Sequence, residues 1–297
     1  MKNAHKRICI AVCTATIVGT GYATTASAAP EAGHRFETAL QQDARPNDTG
    51  ARKEKPALPP GAFELLDVTY ESGTLDSGIP GLTTTHAKAP DASEVESGGD
   101  RSSRSISHKV TLNDADYVSD GAPRSESADN ELQKSLIHVG DVHRYEFSVM
   151  LKDWETGKGS AGDIIFQGKH AGGNKPSFYM MAKRNEIAFR SPLLNLQAPV
   201  VEDFRDSINK WMRFRIDVRW AEDRTGYYKV SAQLPGESGF TLKKTYTAVN
   251  TFHPENPTTF GYIKWGLYRP ASSTEAGDPA TRVVQHDNIR VIDLGTS

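Results

Sequence analysis

Cysteine is nearly missing from this chain. Among 297 residues there are only Cys9 and Cys13, both close to the N-terminus. The remainder carries no disulfide framework and no cysteine-ligated zinc. Long apolar runs are also missing. The longest mostly apolar stretch is Ile8–Val18, whereas a helix that crosses a membrane needs about 20 such residues. No sign of charge dominates either. The 35 Lys and Arg face 37 Asp and Glu, so there is no basic surplus to hold nucleic acid. Several catalytic signatures are missing as well. The nine histidines never fall into H-E-x-x-H, which argues against a zinc protease. Ser160 sits in Lys158-Gly159-Ser160-Ala161-Gly162, which fails G-x-S-x-G at its first position. Glu202-Asp203-Phe204-Arg205-Asp206 does not reproduce the E-x-D-x-E pattern expected of a sandwich hydrolase with two carboxylates.

What is present has a clear order. Lys2, Lys6 and Arg7 precede the apolar stretch Ile8–Val18, and Ala26-Ser27-Ala28 offers small residues for cleavage. This is the pattern of a secretory signal peptide over 1–28. Secretion to the extracellular space is expected. Residues 29–61 are polar and rich in Pro and Ala, ending in Lys55-Pro56-Ala57-Leu58-Pro59-Pro60. They read as a flexible linker. One domain is expected over 62–297.

Strand signals run through that domain. From Trp211 to Trp220, Met212, Phe214, Ile216 and Val218 alternate with Arg213, Arg215, Asp217 and Arg219. Period-two alternation marks a half-buried strand. Ala221–Gly226 is turn-rich, and alternation resumes at Tyr228, Val230, Ala232 and Leu234, so the two read as a hairpin. Further strands are expected from Tyr145, over Phe178–Ala182 and Glu186–Arg190, and over Arg282–Asp293. No sustained 3.6-residue period occurs after the leader. Many short strands with Gly and Pro turns predict an all-β antiparallel sandwich of the jelly-roll, concanavalin-like type with a concave cleft.

Three segments carry candidate chemistry. In Arg124-Ser125-Glu126, the guanidinium and the carboxylate share a strand face, and the carboxylate can fix the fork that grips another acid. In Ile164–His170, an apolar run delivers Gln167, Lys169 and His170 in quick succession. In Tyr262–Arg269, Ile263, Trp265 and Leu267 form an apolar face, while Tyr262, Lys264, Gly266 and Tyr268 form the other. Gly266 leaves room for something to approach the sheet closely. This second face reads as the floor of a binding cleft.

Together the segments resemble jelly-roll polysaccharide lyases. The alginate lyases carry R-S/T-E-L, Q-I/V-H and Y-F-K-A-G-V/I-Y-N-Q in that order. This chain carries R-S-E-S from Arg124, Q-G-K-H from Gln167 and Y-I-K-W-G-L-Y-R from Tyr262. The ending, with His286-Asp287-Asn288-Ile289-Arg290-Val291, is similar to the heparin lyase I and glucuronan lyase group. The resemblance implies β-elimination on a uronate-containing polysaccharide. It implies that Arg124 and Gln167 neutralise the uronate carboxylate and that Tyr268 protonates the leaving O4, acting also as base. It makes His170 the alternative base and places Lys264, Arg269, Tyr262 and Lys169 in substrate binding. Lys264 and Arg269 would then favour the phenolate of Tyr268. Gln167 and His170 stand three apart where the family has two. A bulge at Gly168 would bring both to the cleft; without it, Lys169 shares the face of Gln167. His143 is a reserve candidate for the base.

No cofactor is required by these motifs. A structural calcium is compatible with the sequence, although no ligand cluster demands one. The expected partner is an anionic polysaccharide, with no nucleic acid and no membrane after leader cleavage. A monomer is expected. The rival reading is a carbohydrate-binding module without catalysis, in which Trp154, Trp211 or Tyr227 stacks on sugars.

Overall fold

The computed structural model describes residues 55–156, 162–173, 175–253, 259–270 and 278–295. The expected signal peptide and most of the expected linker lie outside them. Lys55 already belongs to the domain, because its Nζ reaches Glu64 and Asp67, each at 2.6 Å.

Alternation of apolar and polar residues produces sixteen described strands. In chain order they are β1 (Phe63–Val68), β2 (Thr83–Thr84), β3 (Ser93–Ser97), β4 (Arg104–Thr111), β5 (Val118–Ser119) and β6 (Ala122–Ala128). Then come β7 (Val142–Lys152), β8 (Asp163–His170), β9 (Phe178–Lys183), β10 (Glu186–Ser191) and β11 (Leu196–Val201). The last are β12 (Met212–Arg219), β13 (Gly226–Gln233), β14 (Thr241–Val249), β15 (Gly261–Tyr268) and β16 (Thr281–Asp293). Two short 3-10 turns, Ala115–Tyr117 and Arg205–Ser207, are the helical pieces among them.

The strands form two antiparallel sheets. The first runs β14-β13-β12-β7-β16-β4-β3, with β1 also on β16. The second runs β11-β10-β9-β8-β15-β6-β2, with β5 also on β6. This is the expected jelly-roll sandwich. The hairpin predicted from Trp211 onward is β12–β13, with Arg219 opposite Tyr227. Met212, Phe214, Ile216 and Val218 are fully buried. Their polar neighbours join the outer face, where Asp217 pairs with Arg144 at 2.7 Å and Arg215 with Glu146 at 2.8 Å.

The core lies between the sheets. Phe147 of the first sheet stacks on Phe166 of the second, centroids 4.0 Å apart. Each fully buried aromatic of this kind contributes about 1.5–3 kcal/mol. The polar tips of buried rings are satisfied within the core. Trp220 Nε1 donates to Tyr145 Oη at 2.9 Å, and Trp265 Nε1 donates to Tyr70 Oη at 2.7 Å. The sandwich therefore holds β8, β15 and β6 side by side, with their alternate side chains turned away from the core.

Candidate active site

Register brings the three motif segments onto adjacent strands. On β6 and β15, Arg124 lies opposite Tyr268 and Glu126 opposite Gly266. On β8 and β15, Gln167 lies opposite Lys264 and Lys169 opposite Tyr262. Apart from Gly266, where β15 shifts register against β8, these residues share the face opposite to Phe166, Ile263 and Trp265, which enter the core.

Glu126 organises the cluster. It is buried, and it receives Gln167 Nε2 at 2.6 Å and Lys264 Nζ at 2.7 Å. Arg124 Nη1 stands 3.7 Å from Glu126 and 3.3 Å from Asp120. The guanidinium carbon of Arg124 lies 4.4 Å from the centre of the Tyr268 ring. Lys169 donates to the carbonyl of Gly173. Burial depresses its pKa, and the charges of Lys264 and Arg124 add to the effect. Burial pushes the Tyr262 hydroxyl up to about 12, with the Glu126 and Asp120 charges adding to it. The cations Arg124, Lys169 and Lys264 outnumber Glu126 and Asp120, the acids paired with them, and such a balance suits an anionic ligand.

A cleft of about 300 Å³ opens over this cluster. Arg124, Gln167, Lys169, Tyr179 and Tyr268 line it, together with Ile164, Lys175 and three prolines. Tyr179 is not among the residues expected from sequence. The segment Phe178-Tyr179-Met180-Met181 is apolar at every position, so nothing marks one face as functional. The central role of Glu126 is also hidden in sequence, because spacing alone does not show that Gln167 and Lys264 both turn to it.

Several expectations are corrected by the structure. Gly168 carries no bulge: β8 stays in register with β15 from Phe166 to His170. A Cβ on Gly168 would stand 2.5 Å from the Phe178 ring, so glycine here admits a core aromatic. His170 therefore points inward. Its Nε2 meets Ser177 Oγ at 2.5 Å and its ring packs edge-on against Phe252 at 4.5 Å. Burial, with the charges of His253 and Lys169, pulls its pKa down to about 4.

Arg269 is likewise turned from the cleft. It is fully buried, 3.4 Å from Asp163 and bonded to the carbonyls of Pro279 and Ala280. The cation against Tyr268 is Arg124. Lys264, expected to face substrate, is committed to Glu126. The space at Gly266 is taken from within the protein, because its Cβ position falls against Ser125 O and lies 3.2 Å from His108 Cδ2. His143 belongs to the other sheet, on β7, and contacts Tyr145 Oη at 3.1 Å. Of the aromatics weighed for sugar stacking, Trp154 is buried under Arg282, and Tyr227 lies on β13 of the first sheet. Among the described residues, no three His, Cys, Asp or Glu side chains gather so as to hold a metal ion.

Comparison with known proteins agrees with this architecture. No curated protein matches the sequence. The endo-β-1,4-glucuronan lyase of the fungus Trichoderma reesei superposes with a TM-score of 0.54 at 18% identity, covering 79% of this chain and 96% of its own. The alginate lyase of Aplysia kurodai superposes with a TM-score of 0.54 at 12% identity, covering 77% of this chain and 98% of its own. At such identities the likeness is one of fold. The family model described as polysaccharide lyase matches residues 71–290. The chain is thus a member of the polysaccharide lyase family.

Proposed function

We propose that this polysaccharide lyase is secreted and cleaves a uronate-containing polysaccharide by β-elimination, leaving an unsaturated uronate end. Glucuronan or another glucuronate-rich glycan is the first choice of substrate, followed by heparin-type glycan and then alginate. The observation that carries this reading is the contact of Arg124 with Tyr268, 4.4 Å from guanidinium carbon to ring centre, in a cleft shared with Gln167 and Lys169.

The chemistry follows from what these groups can do. A sugar acid entering the cleft meets the Arg124 guanidinium and the Lys169 ammonium. One N–H of the Gln167 amide goes to Glu126, and a primary amide has a second to give. Donors aimed at the carboxylate stabilise the enolate-like charge that builds as the C5 proton leaves. Tyr268, entering the step as its phenolate, takes that proton and becomes the neutral phenol. The C4–O4 bond then breaks, a C4–C5 double bond forms, and Tyr268 returns a proton to O4. One residue can serve both steps where the C5 proton and O4 lie on the same side of the ring, as in glucuronate. With His170 turned into the core, Tyr268 is the acid–base group in the cleft.

The test is a panel of glucuronan, heparin, alginate and hyaluronan, followed by the ultraviolet absorbance of the conjugated product. Growth of that absorbance with at least one of them is expected. Binding of these polymers without any such product would favour the rival reading of a carbohydrate-binding module.

A further inference from the structure

A second arginine–tyrosine pair lies beside the cleft, with its tyrosine in the cleft wall. Arg190 on β10 lies opposite Tyr179 on β9, with its guanidinium carbon 5.8 Å from the ring centre. Arg124 and Tyr268 are cross-strand partners in the same way. The two pairs flank β8, where Gln167 lies opposite Lys264 on one side and Tyr179 on the other. Tyr179 and Tyr268 line one cleft, and Pro192, two residues beyond Arg190, lines it too.

The pairs differ in one respect. Arg124 has two carboxylates near it, Asp120 and Glu126. Among the described residues, no carboxylate forms an ion pair with Arg190, which is half-buried on its strand. Burial raises the Tyr179 hydroxyl, and the Arg190 charge works against that rise, so the two groups sense each other in a partly dehydrated place. A guanidinium held on an aromatic ring, without an acid of its own, suits bidentate capture of an external carboxylate.

Spacing fits a polymer. Neighbouring strands lie about 4.8 Å apart, so β15, which carries Tyr268, and β10, which carries Arg190, are separated by about 14 Å across β8 and β9. That is the reach of several sugars of an extended chain laid across the strands.

We propose that Arg190, backed by Tyr179, is a second carboxylate subsite that binds another uronate of the same chain, several sugars away from the one reacting at Tyr268. The subsite rests on the proposed lyase activity of the cleft. It makes the substrate a polymer that carries more than one carboxylate, and it makes Arg190 a determinant of chain-length preference.

The experiment compares wild type, Arg190→Gln and Arg190→Lys on long polyuronate and on oligouronates of defined length, with binding followed by calorimetry. On long chains Arg190→Gln should raise KM and Kd about tenfold or more, with kcat largely kept. Arg190→Lys should recover part of the loss, since it restores the charge without the fork. On oligomers too short to reach β10, all three should behave alike. Unchanged KM and Kd on long chains, or an equal loss on short and long ones, overturns the subsite. If wild type neither cleaves nor binds any polyuronate, the lyase reading itself fails, and the subsite fails with it.

Discussion

Lys264 and Glu126 form an ion pair beneath the cleft, Nζ to Oε2 2.7 Å, with both side chains almost wholly shielded from water. The same carboxylate receives Gln167, so one buried charge positions two of the three motif segments. Removing one partner of such a pair leaves the other charge uncompensated and costs about 3–5 kcal/mol. Lys264→Met should therefore lower the urea midpoint strongly. The double variant Lys264→Met with Glu126→Gln should regain much of that stability, because no buried charge is left alone. It should not regain activity, because Gln167 and Arg124 lose their anchor. A single variant as stable as wild type would mean that water reaches the pair.

Two substitutions separate the candidate bases. Tyr268→Phe removes the phenol while keeping the ring on which Arg124 rests. Loss of a positioned acid or base typically costs about 10²- to 10⁴-fold, so kcat should fall by that order while polymer binding stays near wild type. His170→Gln alters a core residue bonded to Ser177. It should reduce thermal stability and leave kcat/KM within a few-fold at a temperature where the protein is folded. Strong loss of kcat in the His170 variant, with intact binding and an intact fold, would return the histidine to the mechanism.

The sequence displays the fold more openly than the site. Alternation in β12 announces both its buried face and the ion-paired outer one, because a strand with one face in a core must repeat every two residues. The motif around Tyr262 likewise shows which side chains share a face. It cannot show where each charge is spent. Lys264 and Arg269 look alike as cations near Tyr268 in sequence, yet one closes on Glu126 and the other on Asp163. Gly168 and Gly266 each suggest an irregular or open backbone. Gly168 instead sits in regular register and admits the Phe178 ring, whereas Gly266 does lie where β15 shifts register against β8, and the β6 backbone and His108 fill the space beside it. Such contacts join residues far apart in the chain and leave no local spacing to read.

Stability should pass through a maximum near neutral pH. Burial holds His86 and His170 down to about 4 and His286 to about 3, and lowers His108 well below its ordinary value. In the unfolded chain these rings bind protons below about 6.5. The fold does not follow until much lower pH, so stability drains as pH falls from 6.5 toward 4. Burial acts oppositely on acids, raising Asp129 to about 7 and Asp287 to about 8. Those two favour the fold at low pH and lose their effect as pH rises through 7 and 8. Four histidines outweigh two acids on the acid side, and the acids act alone on the alkaline side. Melting temperature against pH should therefore peak near 6.5. His286→Leu should flatten the acid limb and leave the alkaline limb in place. A melting temperature flat from pH 4 to 7 would show that these rings are not buried as neutral groups.

Gly266 should be irreplaceable in a way that Gly168 is not. Its φ of 141° lies in a region that L side chains rarely enter, and strain of this kind costs about 1–3 kcal/mol. A Cβ would also press on Ser125 O, and on Glu126 Cα at 2.6 Å. Both belong to β6, the strand that carries Arg124. Gly266→Ala should therefore unfold at lower temperature and also lose kcat, because displacing β6 moves Arg124 from Tyr268. Trimming the third neighbour with His108→Ala should give no rescue, since backbone atoms make the closer contacts. At Gly168 the obstacle is a side chain, the Phe178 ring at 2.5 Å. Gly168→Ala combined with Phe178→Leu should accordingly recover part of the stability that Gly168→Ala loses. Thermal melts and steady-state rates of these four variants decide the matter. Rescue of Gly266→Ala by His108→Ala would mean that the ring, rather than the β6 backbone, sets the need for glycine.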